Sequence, residues 1–153
     1  IAPVQEGPDE LVIVREFRAP RALVFQAWTD AAMLPRWFCP EGCDLPFQRF
    51  DPRVGGSYRV CLRGRESGTE WWMQGEFLEI VPTERIVLTH VWDDVARRPE
   101  QDSVITVRFE DLGGRTRMHF HQQRFVSETE RDDHRGGWNS CLNRLQNLLE
   151  GTA

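Results

Sequence analysis

The stretch HRGGWNSCLNRLQNLLE, residues 134–150, decides the fold of this chain. From its tryptophan onward, apolar residues recur at i, i+3, i+4, i+7, i+10 and i+11, the period of one face of an α-helix. They are Trp138, Cys141, Leu142, Leu145, Leu148 and Leu149. We predict a helix from about Ser127 to Glu150, with Ser127 and Glu130 offering a capping box. A helix with this stripe, following a series of strands, packs across a sheet.

Two adjacent glycines, Gly136 and Gly137, stand near the start of this helix. Glycine costs about 1 kcal/mol relative to alanine inside a helix, so something should compensate for the pair. One interpretation is that the missing side chains let the sheet backbone or a bound molecule approach the helix closely. The other is that the pair marks a break and that the true helix begins near Trp138. Both interpretations stay open at the level of the sequence.

The residues before this helix have the pattern of two short helices within a series of strands. A first strand is predicted at 11–18, and Pro20 stands where a helix can begin. A second short helix is predicted before residue 39, and six strands follow at 43–50, 57–64, 70–80, 85–93, 103–110 and 115–124. Short connections favour an antiparallel meander. The predicted class is therefore α+β, with one domain at 11–150 preceded by a disordered or loosely attached arm at 1–10.

Composition excludes several classes of function. The net charge of −5 argues against binding of a nucleic-acid backbone, and no apolar segment is long enough for a membrane span. The four histidines and the cysteines lack metal-ligand spacing, so we expect neither a metal nor another cofactor. The cysteines are Cys39, Cys43, Cys61 and Cys141. Free thiols and the lack of a signal peptide indicate a cytoplasmic protein.

Strand alternation predicts which side chains face the last helix and any cavity beneath it. The strand residues of this set are Tyr58, Val60, Leu62, Met73, Phe77, Leu88, His90, Trp92, Phe109, Met118, Phe120 and Gln122. The helical segments add Trp37, Phe38, Gly137, Trp138, Cys141 and Leu142. For the aromatic members, simple filling of the core is an equally good interpretation. Trp71 is assigned to the outer face, where incomplete solvation would leave a homodimer possible beside a monomer.

His90 is the candidate catalytic residue because it lies in mid-strand among apolar neighbours. A histidine in that position is more often a core residue whose nitrogens are bonded by nearby groups. The functional interpretations are a hydrogen bond to a ligand carbonyl or hydroxyl, or acid–base catalysis. Gln122 is suited to the hydrogen bond alone. No GxSxG or HExxH motif accompanies His90, so a nucleophile signature is missing from the sequence.

Several motifs in order carry a resemblance to a known family. They are REFRAPRALVFQAWTD (15–30), LPRWFCPEGC (34–43), FDPRVGGSYRVCLRG (50–64), MQGEFLEIVPTERIVLTHVW (73–92) and GGWNSCLNRLQNLLE (136–150). Over residues 11–150 the chain resembles the helix-grip fold of the START-like (SRPBCC, birch-pollen-allergen type) superfamily. Within that superfamily it is most similar to the activator of Hsp90 ATPase homologue (AHSA-type) family. At Cys39 and Cys43 the resemblance leads us to expect glycine and a larger apolar residue instead.

The resemblance implies a curved sheet wrapped around the last helix, with a hydrophobic cavity between them. It also implies three functions, of which the first is binding of a small apolar or amphipathic molecule. The second is a cyclase, dehydratase or hydrolase that uses His90 in the same cavity. The third is an interaction module for a chaperone or kinase, ranked last because the chaperone-activating branch pairs this domain with a further one that this sequence lacks. Binding with His90 or Gln122 as the orienting group is the preferred hypothesis.

Overall fold

The structure is a computed structural model that describes residues 4–93 and 102–151. Its strands are β1 (Glu10–Phe17), β2 (Cys43–Phe50), β3 (Ser57–Gly64), β4 (Glu70–Val81), β5 (Arg85–Trp92), β6 (Ser103–Asp111) and β7 (Thr116–Gln123). Its helices are α1 (Arg21–Thr29), α2 (Leu34–Trp37) and α3 (Glu128–Glu150). The ends of the strands differ from the predicted ends by no more than one residue. Most of the predicted loop between β5 and β6 lies outside the described residues.

The strands form one curved antiparallel sheet in the order β1-β7-β6-β5-β4-β3-β2. Each strand from β2 to β7 pairs with its neighbours in sequence, which is the predicted antiparallel meander. β1 returns to pair with β7 along its whole length. The two short helices follow β1, and α3 follows the last strand. This is the helix-grip architecture that the resemblance implied, and the α+β prediction is confirmed.

α3 is continuous from Glu128 to Glu150, as the predicted helix from Ser127 to Glu150 has it. Of the two interpretations of the glycine pair, a break near Trp138 is therefore wrong. Its N-terminus is capped as predicted by Ser127, whose hydroxyl accepts a hydrogen bond of 3.1 Å from the backbone N–H of Glu130. The helix ends at Gly151, which has the left-handed conformation (φ 70°) typical of a helix C-terminus. Among the described residues, no helix is both long and apolar enough to cross a membrane.

The core lies between the concave face of the sheet and the apolar stripe of α3. The inward faces predicted from strand alternation are buried, and they join the stripe of α3 in one cluster. Gly75 shapes this core on β4, because a Cβ atom there would lie 1.9 Å from the carbonyl oxygen of Thr89 and 2.6 Å from the ring of Tyr58. The glycine therefore lets the Tyr58 ring cross β4 and reach β5.

The prediction that Trp71 lies on the outer face is wrong. Trp71 precedes Met73 by two residues, so both side chains leave β4 on the concave side. Trp72 occupies the outer face instead, where its ring lies 4.8 Å beneath the guanidinium of Arg59 and 5.3 Å from the ring of Phe47. Trp71 is consequently available to the space beneath α3 rather than to a dimer interface.

The described part of the N-terminal arm, residues 4–9, contacts both β1 and α3. The carboxylate of Glu6 accepts a hydrogen bond of 2.8 Å from the backbone N–H of Val12. Its other oxygen lies 2.6 Å from the guanidinium of Arg135 on α3. The backbone carbonyl of Pro8 accepts a further bond of 3.3 Å from Arg131. These bonds draw two arginines of α3 toward the arm.

Candidate functional site

A cavity of about 400 Å³ lies between the first half of α3 and strands β3, β4 and β5. Most of its wall is apolar. The wall consists of Phe38, Pro40, Leu62, Trp71, Met73, His90, Trp92, Glu130, Asp133, His134, Gly137, Trp138 and Cys141. α3 crosses the concave face of the curved sheet, and this space lies beneath its N-terminal half.

Gly137 leaves space in the cavity because it has no side chain. A Cβ atom built at either Gly136 or Gly137 meets no other atom within 4 Å, so the sheet backbone does not approach the helix closely at either position. Gly136 is exposed to solvent, whereas Gly137 lines the cavity. The structure therefore excludes two interpretations of the glycine pair, a helix break and close approach of the sheet backbone. Space for a bound molecule beside Gly137 is the interpretation that remains.

Aromatic rings close the inner end of the cavity. Phe38 and Trp138 line the cavity. Both rings also pack against Trp28, at centroid distances of 6.3 and 6.1 Å respectively. Trp37 lies 4.8 Å from Trp28, and Phe120 lies 4.8 Å from Trp138. Behind this cluster is a separate void of about 10 Å³ near Tyr58, Phe77 and Leu88, room for about one water molecule. The rings therefore fill the middle of the molecule but leave the space near the start of α3 open.

His90 is the buried polar group in the cavity wall, with 4% of its surface exposed. Its Nδ1 lies 3.5 Å from the hydroxyl oxygen of Tyr58, whose proton is donated to the carbonyl of Thr89 at 2.7 Å. The tyrosine oxygen can then only accept, which favours a proton on Nδ1 and a lone pair on Nε2. No described residue bonds to Nε2. Burial, and secondarily the nearby His134, lowers the pKa of His90 to about 3, so the ring is neutral at pH 7.

His134 has both ring nitrogens engaged. The indole N–H of Trp92 donates to Nε2 at 2.8 Å, and Nδ1 lies 2.8 Å from the carbonyl oxygen of Glu130 one helical turn earlier. Because an indole nitrogen only donates, Nε2 is unprotonated and Nδ1 carries the hydrogen. His134 therefore ties the end of β5 to α3 at the opening of the cavity, and its nitrogens are unavailable to a ligand.

Carboxylates from α3 form the polar rim of the cavity. Glu130 and Asp133 both line it and are separated by three residues, so they are neighbours on the helix surface. Across residues 4–93 and 102–151, neither side chain forms an ion pair. The arginines of the same turns are engaged elsewhere, since Arg131 bonds to Asp132 and Arg135 bonds to Glu6. The rim is accordingly negative.

The four cysteines are free thiols. Cys39 is buried, and its sulfur and carbonyl oxygen lie 2.8 and 2.9 Å from the guanidinium of Arg144 on α3. Burial raises the pKa of the thiols of both Cys39 and Cys141, so they are protonated at neutral pH. In the described parts of the chain, no cluster of histidine, cysteine or carboxylate side chains has a geometry that suits a metal ion.

The structure divides the residues predicted to line a cavity into two sets. The first set does line it: Phe38, Leu62, Met73, His90, Trp92, Gly137, Trp138 and Cys141. The second set is buried in the core away from it: Trp37, Tyr58, Val60, Phe77, Leu88, Phe109, Met118, Phe120, Gln122 and Leu142. In particular, Gln122 does not reach the cavity, because its side chain bonds to Trp138 and Ser103.

Several wall residues were missing from the sequence-based set, namely Pro40, Trp71, Glu130, Asp133 and His134. The helical period could have identified the missing wall residues of α3. Counting back from Cys141 by four, three and four residues reaches Gly137, His134 and Glu130, which lie on the same face of the helix. The apolar stripe concealed this relationship, since it begins only at Trp138. Strand parity with Met73 would have identified Trp71.

The chemistry of this wall favours binding over turnover. His90 is neutral at pH 7, so it lacks the second ring proton that an imidazolium would donate as a general acid. Its pKa of about 3 also makes it a weak base at this pH. Cys141 is the thiol in the wall, and burial raises its pKa, which disfavours the nucleophilic thiolate. What the wall offers is an apolar surface, one buried hydrogen-bond acceptor and a negative rim.

Comparison with known proteins agrees with the fold. A solved structure from Chromobacterium violaceum superposes with a TM-score of 0.85 at 28% identity, covering 93% of this chain and 97% of that chain. An Arthrobacter aurescens protein gives 0.80 at 25% identity, with 95% and 88% covered. A Silicibacter pomeroyi protein named AHSA1 gives 0.83 at 24% identity, with 94% and 99% covered, and shows the fold alone. A search of curated proteins finds no significant match.

The family is established by sequence. The family model described as Activator of Hsp90 ATPase homolog 1-like protein matches residues 18–150, which include every described strand after β1 and all three helices. The match agrees with the resemblance drawn from the motifs at 15–30 and 136–150. This chain therefore belongs to the activator of Hsp90 ATPase homolog 1-like family.

Proposed function

We propose that this protein binds a small apolar or amphipathic molecule in the cavity between its sheet and α3. The observation that carries the proposal is the space of about 400 Å³ beside Gly137, which lies within the usual size range of ligand sites. Its wall combines apolar side chains with a buried acceptor, Nε2 of His90. Free cysteines fit a reducing compartment, so we also propose that the protein acts in the cytoplasm.

The apolar wall supplies the affinity in this proposal. Removing apolar surface from water stabilises a complex by about 25 cal/mol per Å², so a bicyclic aromatic that loses roughly 200 Å² gains about 5 kcal/mol before the cost of immobilisation. The side chains of Met73 and Leu62 on the sheet and of Trp138 on α3 offer that surface on both sides. A molecule the size of naphthalene is therefore a suitable probe.

His90 supplies orientation rather than chemistry. With a pKa of about 3 it is neutral at pH 7, and its free Nε2 accepts a hydrogen bond from a hydroxyl or N–H group of the ligand. A ligand carbonyl finds no donor at this nitrogen. The sequence allowed His90 to bond either a carbonyl or a hydroxyl of the ligand. In this proposal the ligand group that bonds His90 is a hydrogen-bond donor, so a carbonyl is no longer a candidate.

The glycine pair provides a matched test. Gly137→Leu places a side chain in the cavity, whereas Gly136→Leu places the same side chain on the exposed surface of the same helix. Leucine is a better helix former than glycine, so both variants should fold. Isothermal titration calorimetry with 1-naphthylmethanol should give equal affinities for the wild type and Gly136→Leu. For Gly137→Leu we expect a loss of about tenfold or more. Equal binding by both variants would overturn the proposal.

A further inference from the structure

We propose that the ligand of this cavity carries a protonated amine, which binds at the rim between the carboxylates of Glu130 and Asp133. The inference rests on the proposed function and specifies the chemical class of the ligand. It predicts an apolar body beneath α3 and an ammonium group at the opening.

The first support is the charge of the rim. Glu130 and Asp133 line the cavity, and within residues 4–93 and 102–151 neither carboxylate has a cationic partner. The nearest arginines in sequence bond to other groups. Arg131 bonds to Asp132 and to the carbonyl of Pro8, and Arg135 bonds to Glu6. A cationic group on the ligand would balance the charge that the described residues leave at this opening.

The helix dipole explains only part of this arrangement. Acidic residues are favourable in the first turn of a helix on any face, and Glu128 and Glu130 both occupy that turn. Asp133 lies beyond it, on the cavity side. The dipole thus accounts for a negative N-terminus but not for the concentration of unpaired carboxylates around an apolar opening.

The second support is independent of the carboxylates and comes from the hydrogen-bonding groups in the wall. His90 is 4% exposed and presents an unpartnered Nε2, which can only accept. The indole N–H groups of Trp92 and Trp138 are already donated to His134 and Gln122. The donors of these two indoles are thus used, and a donor on the ligand would complete the bonding of Nε2 of His90. An ammonium group is a donor without any acceptor function. The rings of Trp71 and Trp92 near the opening add cation–π attraction.

Three probes with one aromatic body test the inference. They are 1-naphthylmethylammonium, 1-naphthylmethanol and 1-naphthoate, titrated by calorimetry at pH 7.5 and low ionic strength. We expect the ammonium probe to bind about fivefold or more tightly than the alcohol, and the carboxylate probe to bind most weakly. Raising the salt concentration should reduce the preference, because the carboxylates lie at the solvent boundary.

Charge-neutral variants assign the preference to the rim. Glu130→Gln combined with Asp133→Asn should lower the affinity for the ammonium probe to that of the alcohol while leaving the alcohol within about twofold of its wild-type affinity. Glu128→Gln combined with Asp132→Asn removes the same charge from the same turns away from the cavity and should keep the preference.

The outcomes separate the two proposals. If 1-naphthylmethanol binds and Gly137→Leu abolishes its binding, the proposed function stands. The inference is overturned in that case if the ammonium probe gains no affinity, if its preference survives the rim substitutions, or if the control substitutions remove the preference equally. If none of the probes binds, the proposed function and the inference fall together.

Discussion

The indole nitrogen of Trp138 donates a hydrogen bond of 2.9 Å to Oε1 of Gln122, which joins α3 to β7 inside the core. The amide nitrogen of Gln122 then donates to the hydroxyl of Ser103 at 3.0 Å, and that hydroxyl donates to the carbonyl of His90. A chain of hydrogen bonds thus runs from the helix through β7 and β6 to β5, the strand of the cavity wall. These hydrogen bonds fix the position of α3 relative to the sheet.

Replacing Trp138 by phenylalanine should lower the free energy of unfolding by about 1–3 kcal/mol, because Oε1 of Gln122 becomes a buried acceptor without a donor. Urea denaturation measures the change. The double variant Trp138→Phe, Gln122→Leu should lose less than the sum of the two single variants, since both partners of one bond are then absent. Additive losses would contradict a direct bond.

For the paired glycines we predict variants with a higher free energy of unfolding than the wild type. Gly136→Ala and Gly137→Ala should each raise the free energy of unfolding, by up to about 1 kcal/mol, because both positions are helical and a Cβ atom meets nothing there. Thermal or urea denaturation checks this gain. Destabilisation by either alanine would mean that the helix is interrupted or crowded at that position.

The fold was predictable because its signals are local and periodic. Alternation along strands such as β5 and β7 and the 3.6-residue period from Trp138 onward are properties of short windows. The pattern at Trp71 and Trp72 is different, because both residues of the pair are apolar and alternation alone does not choose between them. Parity with Met73 resolves it, but only when β4 is considered over its full length.

The position of the cavity was not predictable from the same signals. Parity assigns Phe120 and His90 alike to the concave face, but it does not tell which of them the rings of α1 and α2 cover. Trp28 of α1 packs against Phe120 at 6.3 Å, while the inner face near His90 receives no ring from α1. That choice depends on how separate elements pack, which no short window of sequence contains.

His90 gives a prediction for ligand recognition. His90→Leu should weaken binding of 1-naphthylmethanol by roughly three- to tenfold, the value of one hydrogen bond, while leaving 1-methylnaphthalene nearly unaffected. Calorimetry with both compounds on both proteins makes the comparison. Equal losses for the alcohol and the hydrocarbon would show that His90 contributes only shape.

His90 also gives a prediction for stability against pH. Its pKa falls from 6.5 to about 3 on folding, chiefly through burial, so the unfolded chain binds more protons between these values. The stability that the neutral ring contributes is complete above pH 6.5 and declines by about 1.4 kcal/mol per unit as the pH falls. Relative to His90→Gln, the wild type should lose about 2 kcal/mol between pH 7 and pH 5 in urea denaturation. Parallel pH profiles for the two proteins would contradict the burial of a neutral histidine.

The most direct measurement is a crystal structure of the protein with 1-naphthylmethanol bound. The predicted complex has the bicyclic ring beneath α3 beside Gly137, between Met73 and Trp138, and its hydroxyl within about 3 Å of Nε2 of His90. A structure in which protein side chains occupy that space, with the probe bound elsewhere on the surface, would contradict a ligand site between the sheet and α3.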